Sequence, residues 1–179
     1  MKTHTFTLRV AGLERVLPKI EINENLTIAS FVILGDTQLI EKCSSIMAKK
    51  IPEVDYIICP EAKSIPLAHS ISVHKGVDYV VLRKSIKGYM NNPIIEEVKS
   101  ITTIEKQQLV IDGKDAEKLK GKRVAIIDDV VSTGGSLETV EKLMGKINSI
   151  IVWRGAILLE GDKEFDDLFY LERLPLWYK

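Results

Sequence analysis

Two adjacent carboxylates, Asp128 and Asp129, follow directly on the apolar run 124–127, and Ser132-Thr-Gly-Gly-Ser136 comes three residues later. Neighbouring carboxylates repel, so they have to be hydrated, hydrogen-bonded or partnered by cations. The vicinal hydroxyls of a ribose suit them, since each carboxylate can accept from one hydroxyl and Mg2+ nearby relieves the repulsion. Gly134 and Gly135 let backbone N–H groups approach a phosphate with no Cβ in the way, and Thr133 and Ser136 add hydroxyl donors. A plain strand-to-helix turn capped by Ser or Thr would show the same residues. A receiver-type acidic pocket also competes for the carboxylates. It needs a further acidic group near the amino-terminal end of the fold and a Lys after a later strand, and neither is identifiable.

The elements that must hold these residues are legible around them. Leu137, Val140, Met144 and Ile147 recur at helical spacing, so the stretch reads strand, acidic pair, tight loop, helix. A parallel strand delivers its chemistry at its carboxyl end, and a helix amino terminus offers unpaired N–H groups to an anion. Further strands are expected over 54–59, 77–82 and 149–159. Asp36 should cap a helix carrying Leu39, Ile40, Cys43, Ile46 and Met47, and Gly76 should stop a second helix through Leu67, Ala68, Ile71 and Val73. Residues 85–93 read as a long polar loop, of the length that usually marks a functional lid or a disordered segment. Residues 98–104 and 107–111 look like a two-stranded arm joined at Glu105-Lys106, followed by a short helix over 115–120. Ahead of all this, 5–10 and 14–22 alternate as a hairpin in which Pro18 needs an edge or a bulge, and 28–34 is an apolar run. The expected fold class is α/β: a mostly parallel twisted sheet with helices on both faces, a small cap built from the chain termini and a mobile β-arm. We read 1–179 as a single domain, with a core over about 36–160 and a cap from about 1–35 and 161–179.

Composition excludes several classes. Lys and Arg number 25 and so do Asp and Glu, so no global basic field points to nucleic acid. The amino terminus alternates where a signal peptide would be uniformly apolar, and no run approaches the ~18 apolar residues of a membrane span. Cys43 and Cys59 are too few for a disulfide framework and lack metal-ligand spacing. The expectation is a cytoplasmic protein without a nucleic-acid or membrane partner.

The block Val124-Ala-Ile-Ile-Asp-Asp-Val-Val-Ser-Thr-Gly-Gly-Ser136 resembles the phosphoribosyl-pyrophosphate (PRPP) signature of type I phosphoribosyltransferases. Pro60-Glu-Ala-Lys-Ser-Ile-Pro-Leu-Ala68 is similar to that family's pyrophosphate loop. Arg83-Lys84, opening the long loop and the arm, resembles its mobile catalytic hood, and the order and spacing are those of the adenine phosphoribosyltransferase-like branch. The resemblance implies that Asp128 and Asp129 hold the ribose hydroxyls and that Ser132, Thr133, Gly134, Gly135 and Ser136 wrap the 5-phosphate. By the same resemblance Ala62, Lys63 and Ser64 face the pyrophosphate, in a loop where a non-proline cis peptide is frequent. Arg83, Lys84 and Lys87 close over the leaving group, with Lys84 and Asp129 acting on the reaction itself. Phe31 and Val32 are candidates for the base, which in this family sits under the cap. The implied cofactor is Mg2+ bound mainly through PRPP, with no protein residue assigned as a metal ligand, and the implied assembly is a homodimer.

Two departures qualify the resemblance. Many relatives have Gly at the position of Ser64, where a Cβ narrows the pyrophosphate site or a hydroxyl adds a contact. Hypoxanthine-guanine enzymes carry an acidic residue at the position of Ser132, which points toward adenine as the base. Glu105 is the nearest match to the Glu that adenine enzymes place in the arm, and no general base is assigned. The expected activity is therefore adenine plus PRPP to AMP plus pyrophosphate. Xanthine or hypoxanthine/guanine is the alternative base, and a non-catalytic PRPP-sensing regulator is the alternative of another class.

Overall fold

The computed structural model describes residues 4–97 and 108–179 of the chain. Strands β1 (Thr5–Val10) and β2 (Leu13–Asn23) pair as the expected antiparallel hairpin, with Leu8, Val10 and Leu17 turned into the core. Pro18 lies neither on an edge strand nor in a bulge, but where β2 changes partner. Thr5 is opposite it, and the next residue, Lys19, already faces Ala29 of β3 (Leu26–Ala29). The missing N–H is harmless there because Lys19 supplies the bond, donating to the His4 carbonyl at 2.8 Å. The apolar run is strand only to Ala29. Beyond it Phe31 and Ile33 turn inward while Val32 and Leu34 face solvent.

Helix α1 (Thr37–Ala48) starts on Asp36, whose carboxylate accepts from the Leu39 N–H at 3.1 Å. The same carboxylate takes Arg15 Nε and Nη2 at 2.6 and 3.0 Å, so one side chain caps the helix and ties it to β2. The Arg15 guanidinium holds the Asp36 carboxyl below its ordinary range. Asp36→Ala is expected to cost about 1–2 kcal/mol, or roughly 2–8 °C in Tm for a chain of this size. Because the folded carboxyl is the stronger acid, this contribution is full above its unfolded pKa and fades as pH falls through the depressed value. Thermal unfolding of both proteins across acidic pH checks it; an equal Tm at neutral pH would refute it.

Strand β4 (Tyr56–Pro60), helix α2 (Ile65–Lys75) and strand β5 (Asp78–Leu82) follow, α2 ending on Gly76 at φ 67° as expected. Strands β6 (Ile94–Glu97) and β7 (Gln108–Ile111) pair antiparallel, Ile94 opposite Ile111. The arm is thus rooted earlier than Val98, directly after Pro93; residues 98–104 and the turn at 105–106 lie outside the described residues. Helix α3 (Gly113–Leu119), strand β8 (Arg123–Val131), helix α4 (Gly135–Ile147) and strand β9 (Ile150–Glu160) complete the core. The tail, expected whole in the cap, divides at Pro175. Strand β10 (Phe169–Leu174) pairs with β9, and β11 (Leu176–Tyr178) pairs with β3.

The result is a parallel sheet in the order β10-β9-β8-β4-β5 and an antiparallel cap sheet in the order β1-β2-β3-β11. Consecutive apolar residues in β8 demand cover on both faces. Val124 and Ile126 pack with α3 and α4, and Ala125 and Ile127 with α1 and α2. One feature of register positions the chemistry. Pairing of β4 with β8 stops at Ile58 opposite Ile126, while β9 follows β8 to Val131 opposite Leu159. Asp128 and Asp129 therefore lie on the strand, held by β9, with a gap on the β4 side.

Candidate functional site

The loop 61–64, leaving the end of β4, fills that gap. Lys63 Nζ lies 2.8 Å from Asp129 Oδ2, and Ser64 Oγ donates to Asp128 Oδ1 at 2.7 Å. The Asp129 N–H donates to the same Asp128 oxygen at 2.8 Å. Adjacent strand residues project to opposite faces, yet the two acids are met in turn by two consecutive loop residues. Ser64 and Asp129 are only 2% and 4% exposed. Burial, and then the Asp129 charge, push the Asp128 carboxyl up to about 7, against the donors, which favour its ionised form. The Ser64 hydroxyl is thus spent on Asp128. The Glu61–Ala62 peptide is cis without a proline, as the resemblance implies for this loop.

Glu61 is the residue that motif reading passed over. One of its oxygens lies 2.9 Å from Arg83 Nε and the other accepts the Lys84 backbone N–H. Nothing local marks it, because these partners are brought up by the neighbouring strand β5. Arg83 is held a second time through its backbone, its N–H donating to the Val110 carbonyl at 2.8 Å and its carbonyl accepting from the Val110 N–H at 2.7 Å. The pyrophosphate-type loop, the end of β5 and the root of the arm are thereby joined. The three cations of the expected hood consequently differ. Arg83 is committed to Glu61, Lys87 Nζ donates to Ser85 Oγ at 2.7 Å, and the Lys84 side chain extends into solvent from an anchored backbone.

The loop 132–136 leads from β8 into α4. Gly134 stands before α4 at φ 86°, a left-handed conformation that favours glycine, and no side chain caps the helix. With no Ser or Thr hydroxyl capping that first turn, its N–H groups are left for an anion. An ordinary turn capped by Ser or Thr is therefore not what precedes α4. The base candidates are placed less tellingly: Phe31 packs in the core shared with α1 and α2, and Val32 is 58% exposed. Among the described residues no three His, Cys, Asp or Glu side chains gather as a metal cage, and no helix is long and apolar enough to cross a membrane.

Known proteins share this layout. The hypoxanthine/guanine phosphoribosyltransferase of Methanothermus fervidus is 34% identical over 110 residues, 62% of this chain and 54% of that protein. The protein of the same name from Methanohalobium evestigatum is 42% identical over 98 residues, 55% of this chain and 48% of that protein. The chain thus spans about half the length of the curated relatives it matches. Among solved structures, the adenine phosphoribosyltransferase of Thermoanaerobacter pseudethanolicus has a TM-score of 0.71 at 24% identity, covering 88% of this chain and 95% of that one. At that identity the likeness speaks for the fold. The family model described as phosphoribosyl transferase domain matches residues 33–173, which include both loops and the acidic pair, and the chain belongs to that family.

Proposed function

We propose that the protein is a purine phosphoribosyltransferase that joins adenine to PRPP, giving AMP and pyrophosphate. The observation that carries this reading is the meeting of Lys63-Ser64 with Asp129-Asp128 beside an uncapped helix start. A sugar phosphate alone would need the acids and the glycine loop. The cationic loop folded against the acids, with Lys84 in reach of the same opening, adds a place for a second, departing anion. In the reaction a base nitrogen bonds to C1 of the ribose as the C1–O bond to pyrophosphate breaks, and the ring proton of the purine is released to solvent. Asp128 and Asp129 accept from the ribose hydroxyls, the helix start holds the 5-phosphate, and Lys63, Arg83, Lys84 and Lys87 face the charge that develops on the leaving group. Closure of the 85–93 loop keeps water from the oxocarbenium-like centre.

The donor set fits a Mg2+ that arrives on the diphosphate, since that ion keeps substrate oxygens and waters and asks for one or two carboxylates at most. Asp129, 4% exposed and met on Oδ2 by Lys63 Nζ at 2.8 Å, is the protein carboxylate that would hold it in exchange for that lysine. When bound, the ion supplies charge neutralisation at the leaving pyrophosphate. By family resemblance the working form is a cytoplasmic homodimer.

A second reading takes hypoxanthine or guanine as the base, favoured by the names of the relatives at 34% and 42% identity. Incubation with PRPP and adenine, hypoxanthine, guanine or xanthine, read by pyrophosphate release, decides. Adenine is expected to turn over fastest. Turnover confined to a 6-oxopurine would replace the first reading by the second, and PRPP binding with no turnover would make the protein a sensor.

A further inference from the structure

The segment 161–168, between β9 and β10, touches the glycine loop from behind. Lys163 Nζ donates to the Thr133 carbonyl at 2.8 Å. The Phe165 ring covers Gly134 so closely that a Cβ on that glycine would lie 2.5 Å from it. The Lys163 ammonium also sits 4.7 Å from the centre of the Phe165 ring, so the two side chains hold each other. The segment is anchored apart from the loop. Phe165 and Leu168 pack on Val131, Ala156 and Leu159, and Arg173 reaches back to the Gly161 carbonyl and Glu164. Elsewhere the back of the loop is not packed: a groove of about 420 Å3 separates it from Arg154 and Leu168.

We propose that residues 161–168 are a brace for the 5-phosphate site, in which Lys163 and Phe165 are positioning residues that set the Thr133–Gly134 peptide. In a planar trans peptide the carbonyl and the N–H point to opposite sides. Holding the Thr133 oxygen on Lys163 therefore turns the Gly134 N–H away from the brace. It also keeps a carbonyl oxygen from rotating toward the anion, where it would repel. Phe165 closes the other route of escape, because the left-handed Gly134 has no side chain of its own to resist movement. The consequence is preorganisation: the N–H groups need not be gathered when the phosphate arrives.

This inference rests on reading 132–136 as a 5-phosphate cradle, and its test uses ribose 5-phosphate, a ligand that needs no turnover. The full chain is titrated calorimetrically as the parent and as Lys163→Met, Phe165→Ala and Phe165→Leu. The first two variants are expected to bind ribose 5-phosphate about tenfold more weakly, from loss of a charge-assisted hydrogen bond or its packing. Phe165→Leu should recover most of the affinity. In steady state the KM for PRPP should rise while kcat holds within about twofold, the pattern of lost ground-state binding. Lys163 is exposed, so its variant tests the brace even if Phe165→Ala fails to fold. Parent-like binding by Lys163→Met, or equal loss in Phe165→Leu, would overturn the brace. A parent that binds ribose 5-phosphate but turns over no purine would overturn the enzyme reading and leave the brace standing. A parent that does not bind it would remove both.

Discussion

A chain carrying Asp128→Asn with Asp129→Asn is expected to lose PRPP binding and yet to unfold at a higher temperature than the parent at about pH 8. In the proposed function each carboxylate accepts from a ribose hydroxyl, and a charge-assisted hydrogen bond is worth about 1.5–3 kcal/mol. Removing two predicts weakening by about a hundredfold or more. Stability moves the other way because the acids are held together at a cost. In the folded chain the Asp128 carboxyl is raised from 3.8 to about 7 by burial and by Asp129. The folded state therefore keeps a proton that the unfolded chain releases, and stability declines as pH rises from about 4 toward 7. The amides cannot ionise, so the variant escapes that decline. The side-chain amide carbonyl put in place of the Asp128 carboxylate still accepts from Ser64 and from the backbone at 129. When the pair with Asp129 is lost, the Lys63 side chain, 44% exposed, is free to hydrate. A gain of about 1–2 kcal/mol, roughly 2–8 °C in Tm, is expected near pH 8 and none near pH 4. Calorimetry with PRPP and paired thermal scans at the two pH values measure both halves. Normal PRPP affinity in the double variant would place the ribose elsewhere.

Lys84→Ala should depress turnover far more than it weakens PRPP. The Lys84 backbone is pinned through its N–H to Glu61, while its side chain is exposed and able to swing. Arg83 lacks that freedom, with its guanidinium on Glu61 and its backbone paired to Val110. A cation that meets pyrophosphate only as its charge grows stabilises the transition state over the bound substrate. We expect kcat to fall by about 10²–10³ with the KM for PRPP changed by less than about threefold. The order of the effects is the discriminating feature. A defect confined to KM would mean that Lys84 docks the substrate and does nothing more.

Much of this molecule is legible along the chain because its causes are local. Asp36 before an amphipathic run, Gly76 after one, and glycines 134 and 135 at a strand-to-helix junction act within a few residues of themselves. Their roles follow from backbone geometry and capping, and the structure places each as expected. The alternation of strands with helices, and the apolar block in β8 that needs cover on both faces, likewise determine the fold class and the end of the sheet where chemistry must lie. Where a local rule had no reason to hold, it did not. The carboxylates do not terminate β8, since β9 is long enough to keep pairing past them. The tail does not act as one piece, since Pro175 divides it between two sheets.

What only the tertiary structure decided is who partners whom across long separations. Ser64 meets Asp128 across 64 positions and Lys163 meets Thr133 across 30, while Glu61 gathers Arg83 and Lys84 from the next strand. Those meetings depend on register: pairing of β4 with β8 stops opposite Ile126 while β9 follows β8 to Val131, and the loop 61–64 lies in the gap that this leaves. No spacing in the sequence encodes where a neighbouring strand ends, because that point is set by the packing of helices that both strands share. The sequence thus determined which residue types stand at the end of β8 and at the start of α4. The tertiary structure decided that the acids are engaged by Ser64 and Lys63, and that Lys163 and Phe165 lie against the glycine loop.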